Sequence, residues 1–191
     1  MPGNICVYQQ DPDVSNPYVM SLAWFTKLTN PGTKASFTWG INYSFVWDET
    51  GELIPGVIFD ASQTLPASLS HKNNITLSKA DGAYQFTSQT STSNSGTLYI
   101  KNEFTVPPLE ASVGIGMSGA GTFVKQAQPN MTFDFTPHPE YWVTFGDFEK
   151  GQVLDITEIT NNAPVAFPPN VYAMDVILDQ SNQWTVRPSA A

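Results

Sequence analysis

Residues 37–47 read Phe37-Thr38-Trp39-Gly40-Ile41-Asn42-Tyr43-Ser44-Phe45-Val46-Trp47. Every odd position is large and apolar or aromatic, and most even positions are small or polar. Successive side chains on a β-strand point to opposite faces, so this period of two places Phe37, Trp39, Ile41, Tyr43, Phe45 and Trp47 in one ridge. A helix would scatter the same six around its circumference. The pattern predicts a long strand on which the chain is organised, with the ridge buried. The other face, Thr38, Gly40, Asn42 and Ser44, is small, and a glycine there lets another backbone or a ligand approach closely. Gly40 and Asn42 are therefore the first candidates for a ligand contact on a sheet face.

The flanking sequence reads in the same way. Short strands are predicted at residues 4–10, 18–28, 57–65, 97–105, 131–135, 141–145 and 153–160. The turn Asn30-Pro31-Gly32 would join 18–28 to the organising strand as a hairpin. Asp81-Gly82 would join 74–78 to 83–87. A glycine-rich turn separates 112–117 from 122–126, and residues 171–178 and 183–186 make a last hairpin. Residues 88–96, almost all Ser, Thr, Asn and Gln, cannot bury apolar area and read as a mobile loop. About a dozen short strands with regular turn signals and no amphipathic helix predict an all-β, antiparallel β-sandwich with long polar loops, a jelly-roll-like topology being one form of it. A length of 191 residues suits a single domain spanning 1–191.

Lys and Arg total 8 against 17 Asp and Glu, a formal charge of −9. No basic cluster is present to meet a phosphate backbone or an anionic lipid surface, which argues against nucleic-acid binding. No stretch approaches the roughly 20 apolar residues of a membrane-spanning helix. The single cysteine, Cys6, has no partner for an intramolecular disulfide, and together with the lack of a leader-like N-terminus it points to a reducing, cytoplasmic location. Sequons at Asn42, Asn74 and Asn130 are then chance matches in an Asn-, Ser- and Thr-rich chain.

Each candidate for chemistry has a plainer alternative. Gly116-Met-Ser118-Gly-Ala120 approaches the Gly-x-Ser-x-Gly elbow of a hydrolase, with His138 as the less poor of two histidines. However, Ala120 replaces the last glycine, and the residues that follow favour a strand where the elbow needs a helix. Asp11, Asp13 and Ser15 have the spacing of calcium-loop oxygens, to which Asp48, Glu49 and Glu52 could add, but the glycine and bidentate glutamate of an EF-hand are absent. Neither His71 nor His138 has ligand spacing to another metal donor. Trp24 and Trp142 each adjoin a second aromatic, so one member of each pair must face away from its partner's side of the sheet, where it could stack on a sugar ring. Covering of that face by other elements is the plainer reading. No cofactor is implied.

The runs Ser21-Leu-Ala-Trp-Phe-Thr-Lys27, Phe45-Val-Trp-Asp-Glu-Thr-Gly51, Pro55-Gly-Val-Ile-Phe59 with Ala61-Ser-Gln63, and Ala111-Ser-Val-Gly-Ile-Gly-Met-Ser-Gly-Ala-Gly-Thr122 with Ala127-Gln-Pro-Asn130 resemble the RhiA family. The resemblance implies a small soluble bacterial protein made at high cell density under quorum-sensing control. It brings no established activity and no catalytic residues. Residues and resemblance together lead to a non-enzymatic protein that binds a glycan, a small molecule or itself. A hydrolase using Ser118 and His138 and a calcium-dependent glycan-binding module are the alternatives.

Overall fold

The computed structural model describes residues 3–10 and 18–190, and these form fifteen strands and no helix. β4 (Tyr43–Asp48) lies inside the first sheet. It pairs antiparallel with β9 (Ser112–Met117) on one side and β5 (Gln63–Ala67) on the other. β9 turns into β10 (Ala120–Gln126) through Ser118 and Gly119, whose φ values of +54° and +80° suit the two-residue hairpin turn that follows strand twist. β2 (Met20–Ser21) completes a five-stranded sheet in the order β2-β10-β9-β4-β5. The glycines of β9 are there for space. A Cβ on Gly114 would lie 1.9 Å from the Phe123 carbonyl oxygen, beside the register shift between Gly121 and Phe123.

Facing this sheet is a second, in the order β11-β8-β6-β7, made of β6 (Asn74–Ala80), β7 (Ala83–Thr90), β8 (Leu98–Asn102) and β11 (Thr132–Phe135). Phe45, Trp47, Val113 and Ile115 from the first sheet meet Ile75, Leu77, Phe86, Leu98, Ile100, Phe133 and Phe135 from the second. This is the core of a β-sandwich, and the chain is all-β as its patterning predicts. One pairing departs from the antiparallel rule, since β6 and β8 run parallel. The polar link between β7 and β8 is gathered around buried Asn73. The Asn73 amide nitrogen donates to Thr92 Oγ1 and to the carbonyls of Asn94 and Thr97, and its oxygen accepts the Thr92 N–H.

A third sheet has the order β13-β12-β1-β3, with β1 (Gly3–Gln9), β3 (Phe25–Thr29), β12 (Tyr141–Gly146) and β13 (Asn162–Val165). Three sheets and a parallel pair exceed a two-sheet jelly roll. β14 (Met174–Leu178) and β15 (Trp184–Pro188) form the predicted last hairpin and pair only with each other.

Three expectations change. The organising strand is shorter than its alternation, because β4 begins only at Tyr43. Tyr43 pairs with Met117, the last residue of β9, and the turn beyond it offers no ladder to residues 37–42. The ridge divides accordingly. Phe45 and Trp47 enter the sandwich, Ile41 is exposed, and Phe37 and Trp39 cross to an aromatic cluster with Trp24, Phe25 and Tyr141. Residues 18–28 do not form a hairpin partner of β4; β2 joins the first sheet and β3 the third, where it pairs with β1. Residues 153–160 are irregular and turn, with one isolated bridge at Val153, and not a strand.

Candidate functional site

The face of the third sheet carrying Cys6, Tyr8 and Trp142 is covered by the chain after β12, through Phe148, Leu154, Ile156 and Ile159. Where this cover meets β12 and the Pro55-Gly56 turn, it leaves an open groove of about 620 Å³. Phe148, Val153, Leu154 and Ile159 supply apolar lining. Thr144, Gln152, Thr160 and Asn161 supply neutral polar groups. Asp155 and Glu158 are the charged residues of the lining.

Local hydrogen bonds shape this wall. Asp155 Oδ1 accepts the Thr157 N–H and hydroxyl at 3.1 and 2.6 Å, an Asx-type turn that leaves Thr157 and Glu158 exposed. Thr144 Oγ1 donates to the Asn161 carbonyl at 2.8 Å and fastens the far end of the cover to β12. Both hydrogen bonds to the Asp155 side chain fall on Oδ1, and among the described residues its other carboxylate oxygen accepts none. The arrangement presents negative charge beside an aromatic and aliphatic surface, which suits an amphipathic cation.

The residues singled out by sequence lie elsewhere. Ser118 is the first residue of the β9–β10 turn, where its N–H donates to the Asn42 carbonyl and its hydroxyl accepts the Gly40 N–H at 3.1 Å. Strand-turn-strand is not the nucleophile-elbow context. His138 is exposed between β11 and β12, and no hydrogen bond joins it to Ser118 among the described residues. Gly40 and Asn42 are exposed but precede β4, so the open strand face expected around Gly40 does not exist there. A Cβ at Gly40 would meet only the Asn42 side chain, at 3.5 Å.

Trp24 is fully buried, donates its indole N–H to the Met117 carbonyl at 2.9 Å, and lies against Phe25, Trp39 and Tyr141. No face of it remains for a sugar ring. Trp142 is partly exposed and packs with the cluster beneath the groove. Of the calcium candidates, Asp11 and Asp13 lie outside the described residues. Asp48 is spent on the Ser62 hydroxyl and the Asp60 N–H, while Glu49 and Glu52 are exposed. No three metal donors cluster among the described residues.

Two other polar sites are structural in character. Lys79 Nζ and the Tyr84 hydroxyl both donate to Glu110 Oε2 at 2.7 Å, and Lys79 lies 4.8 Å from the centre of the Tyr84 ring. The Lys79 bond, then the Tyr84 bond, holds the Glu110 carboxyl below its usual range. Burial and then Glu110 push the Tyr84 phenol well above its own. Burial alone pushes the Cys6 thiol up to about 12, as in an inert core cysteine.

The groove was not legible beforehand, since residues 153–160 imitate a strand. The one local signal is Asp155-Ile156-Thr157, a turn-forming Asp two residues before a Thr. No solved structure matches the chain. Protein RhiA of Rhizobium leguminosarum bv. viciae is 41% identical over 192 residues, covering 98% of this chain and 82% of the relative. The RhiA family profile matches residues 2–189, so this chain belongs to the RhiA family.

Proposed function

We propose that this RhiA-family chain is a non-enzymatic binding protein, and that the groove between β12 and residues 152–161 receives a small molecule joining an apolar or aromatic body to a positive charge. One observation carries the reading. The groove combines Phe148, Val153, Leu154 and Ile159 with Asp155 and Glu158 and has no basic residue in its lining. A ligand cation there would be attracted by two carboxylates while its apolar part is removed from water. Cytoplasmic residence, expected from the single cysteine, belongs to the same proposal, and cell fractionation checks it.

The discriminating experiment is a titration of isotope-labelled protein with phenethylamine and, separately, with phenylacetate, followed by amide chemical shifts. Phenethylamine should move the amides of residues 144–145 and 152–161, phenylacetate should not, and the double variant Asp155→Asn, Glu158→Gln should weaken the response by roughly tenfold. Equal responses to the two probes, or no response in this region, would overturn the reading.

A further inference from the structure

The β14–β15 hairpin completes its own hydrogen bonding. Asp179 Oδ1 accepts the N–H groups of Ser181 and Gln183 at 2.8 and 2.9 Å, and the Asp179 N–H donates to the Gln183 carbonyl. Ser189 closes the open end, donating from its hydroxyl to Asp175 and from its N–H to the Ala173 carbonyl. Among the described residues no hydrogen bond runs from residues 172–190 to any earlier part of the chain, the last local one being Val171 N–H to the Pro168 carbonyl.

The attachment is apolar. Met174, Val176, Trp184 and Val186, each only partly buried, lie on Ile5, Val143, Ala163 and Val165 of the third sheet, with Tyr141 and Phe167 alongside. The Trp184 indole N–H is buried in this contact without a partner among the described residues. The connection, residues 166–173, contains Pro168 and Pro169, is mostly exposed and joins no sheet. Fully extended, eight residues reach about 26 Å. Adjacent prolines stiffen such a segment.

A bare face of Val143, Ala163 and Val165 would be costly in water, so a hairpin that lifts must be replaced by something of the same shape. The occupant that reproduces every contact is the hairpin of a second copy. We propose that two copies of this chain exchange their C-terminal hairpins, each hairpin lying on the β13-β12-β1-β3 sheet of the other. The hydrogen-bonded units stay intact in both forms. Phe167 stays on Trp39 and Tyr141 of its own copy, and only the course of residues 168–173 changes, as in domain swapping. This surface is independent of the groove proposed above.

Deleting Pro168 and Pro169 from the full chain shortens the connection and strains the closed monomer, whereas inserting five Gly and Ser residues after Pro169 relaxes it. Light scattering coupled to size exclusion should show the shortened chain dimerising with a dissociation constant at least roughly tenfold below that of the unaltered chain, and the lengthened chain shifted toward monomer. The dimer should keep the near-ultraviolet circular dichroism of the monomer, since Trp184 stays in the same surroundings. A shortened chain that is folded yet monomeric at all concentrations would overturn the proposal. So would a dimer indifferent to linker length.

Discussion

The space between the first two sheets and the third-sheet face beneath the C-terminal hairpin are both lined by apolar side chains, but the two are held in different ways. Around Phe45 the chain is tied twice, by packing and by ladders. Phe45, Leu77, Leu98, Ile100 and Val113 have no exposed surface, and their strands pair with neighbours in register on the same sheets. Under the hairpin only the packing is present, and its contributors on β14 and β15 are partly exposed. An element whose backbone groups are satisfied internally can leave without breaking a hydrogen bond, so the second region should open at a much lower free energy than the first.

The largest effect that sharpens this contrast is expected in the sandwich. Phe45→Ala removes a fully buried ring that meets Phe86 edge-on at 6.3 Å, and should cost about 3–5 kcal/mol in urea unfolding. A loss below about 1 kcal/mol would break the comparison. On the hairpin, Val176→Ala removes a half-buried side chain and should cost about 1 kcal/mol. Native-state hydrogen exchange should add that the amides of β14 and β15 exchange well before those of β9, and equal protection in the two would show the hairpin to be as firmly held as the core.

The smallest effect concerns the rim of the sandwich, where Lys79 and Tyr84 meet Glu110. The folded carboxyl of Glu110 titrates below its unfolded value, so its contribution is present above the ordinary carboxylate range and is lost as the pH falls through the lowered value. Glu110→Gln should therefore flatten the acid side of the stability-against-pH curve and leave its shape above neutrality to other groups. A curve unchanged on the acid side would show that the exposed ion pair adds nothing measurable.

Much of this architecture is visible in the chain itself. The Asp81-Gly82 signal marks β6–β7, the glycine-rich run marks β9–β10, and the alternation of Met131–Phe135 and of residues 141–145 marks β11 and β12. These depend on local geometry, on side-chain period and on turns that need positive φ, which neighbouring residues carry in full. The groove is different in kind. Its walls come from residues 55–56, 144–148 and 152–161, and its charge depends on which side Asp155 and Glu158 take once the chain folds over β12.

The stretch at residues 37–47 shows where that boundary lies. Alternation by itself determined that its large side chains share a face wherever the backbone is extended, and that Phe45 and Trp47 belong to a core. Where the strand stops was decided only in three dimensions. β9 runs out of ladder at Met117, and Ser118 takes up the backbone at Gly40 and Asn42, sending Phe37 and Trp39 to a different cluster. A strand lasts as long as a neighbour offers hydrogen bonds, and the neighbour is some seventy residues away along the chain.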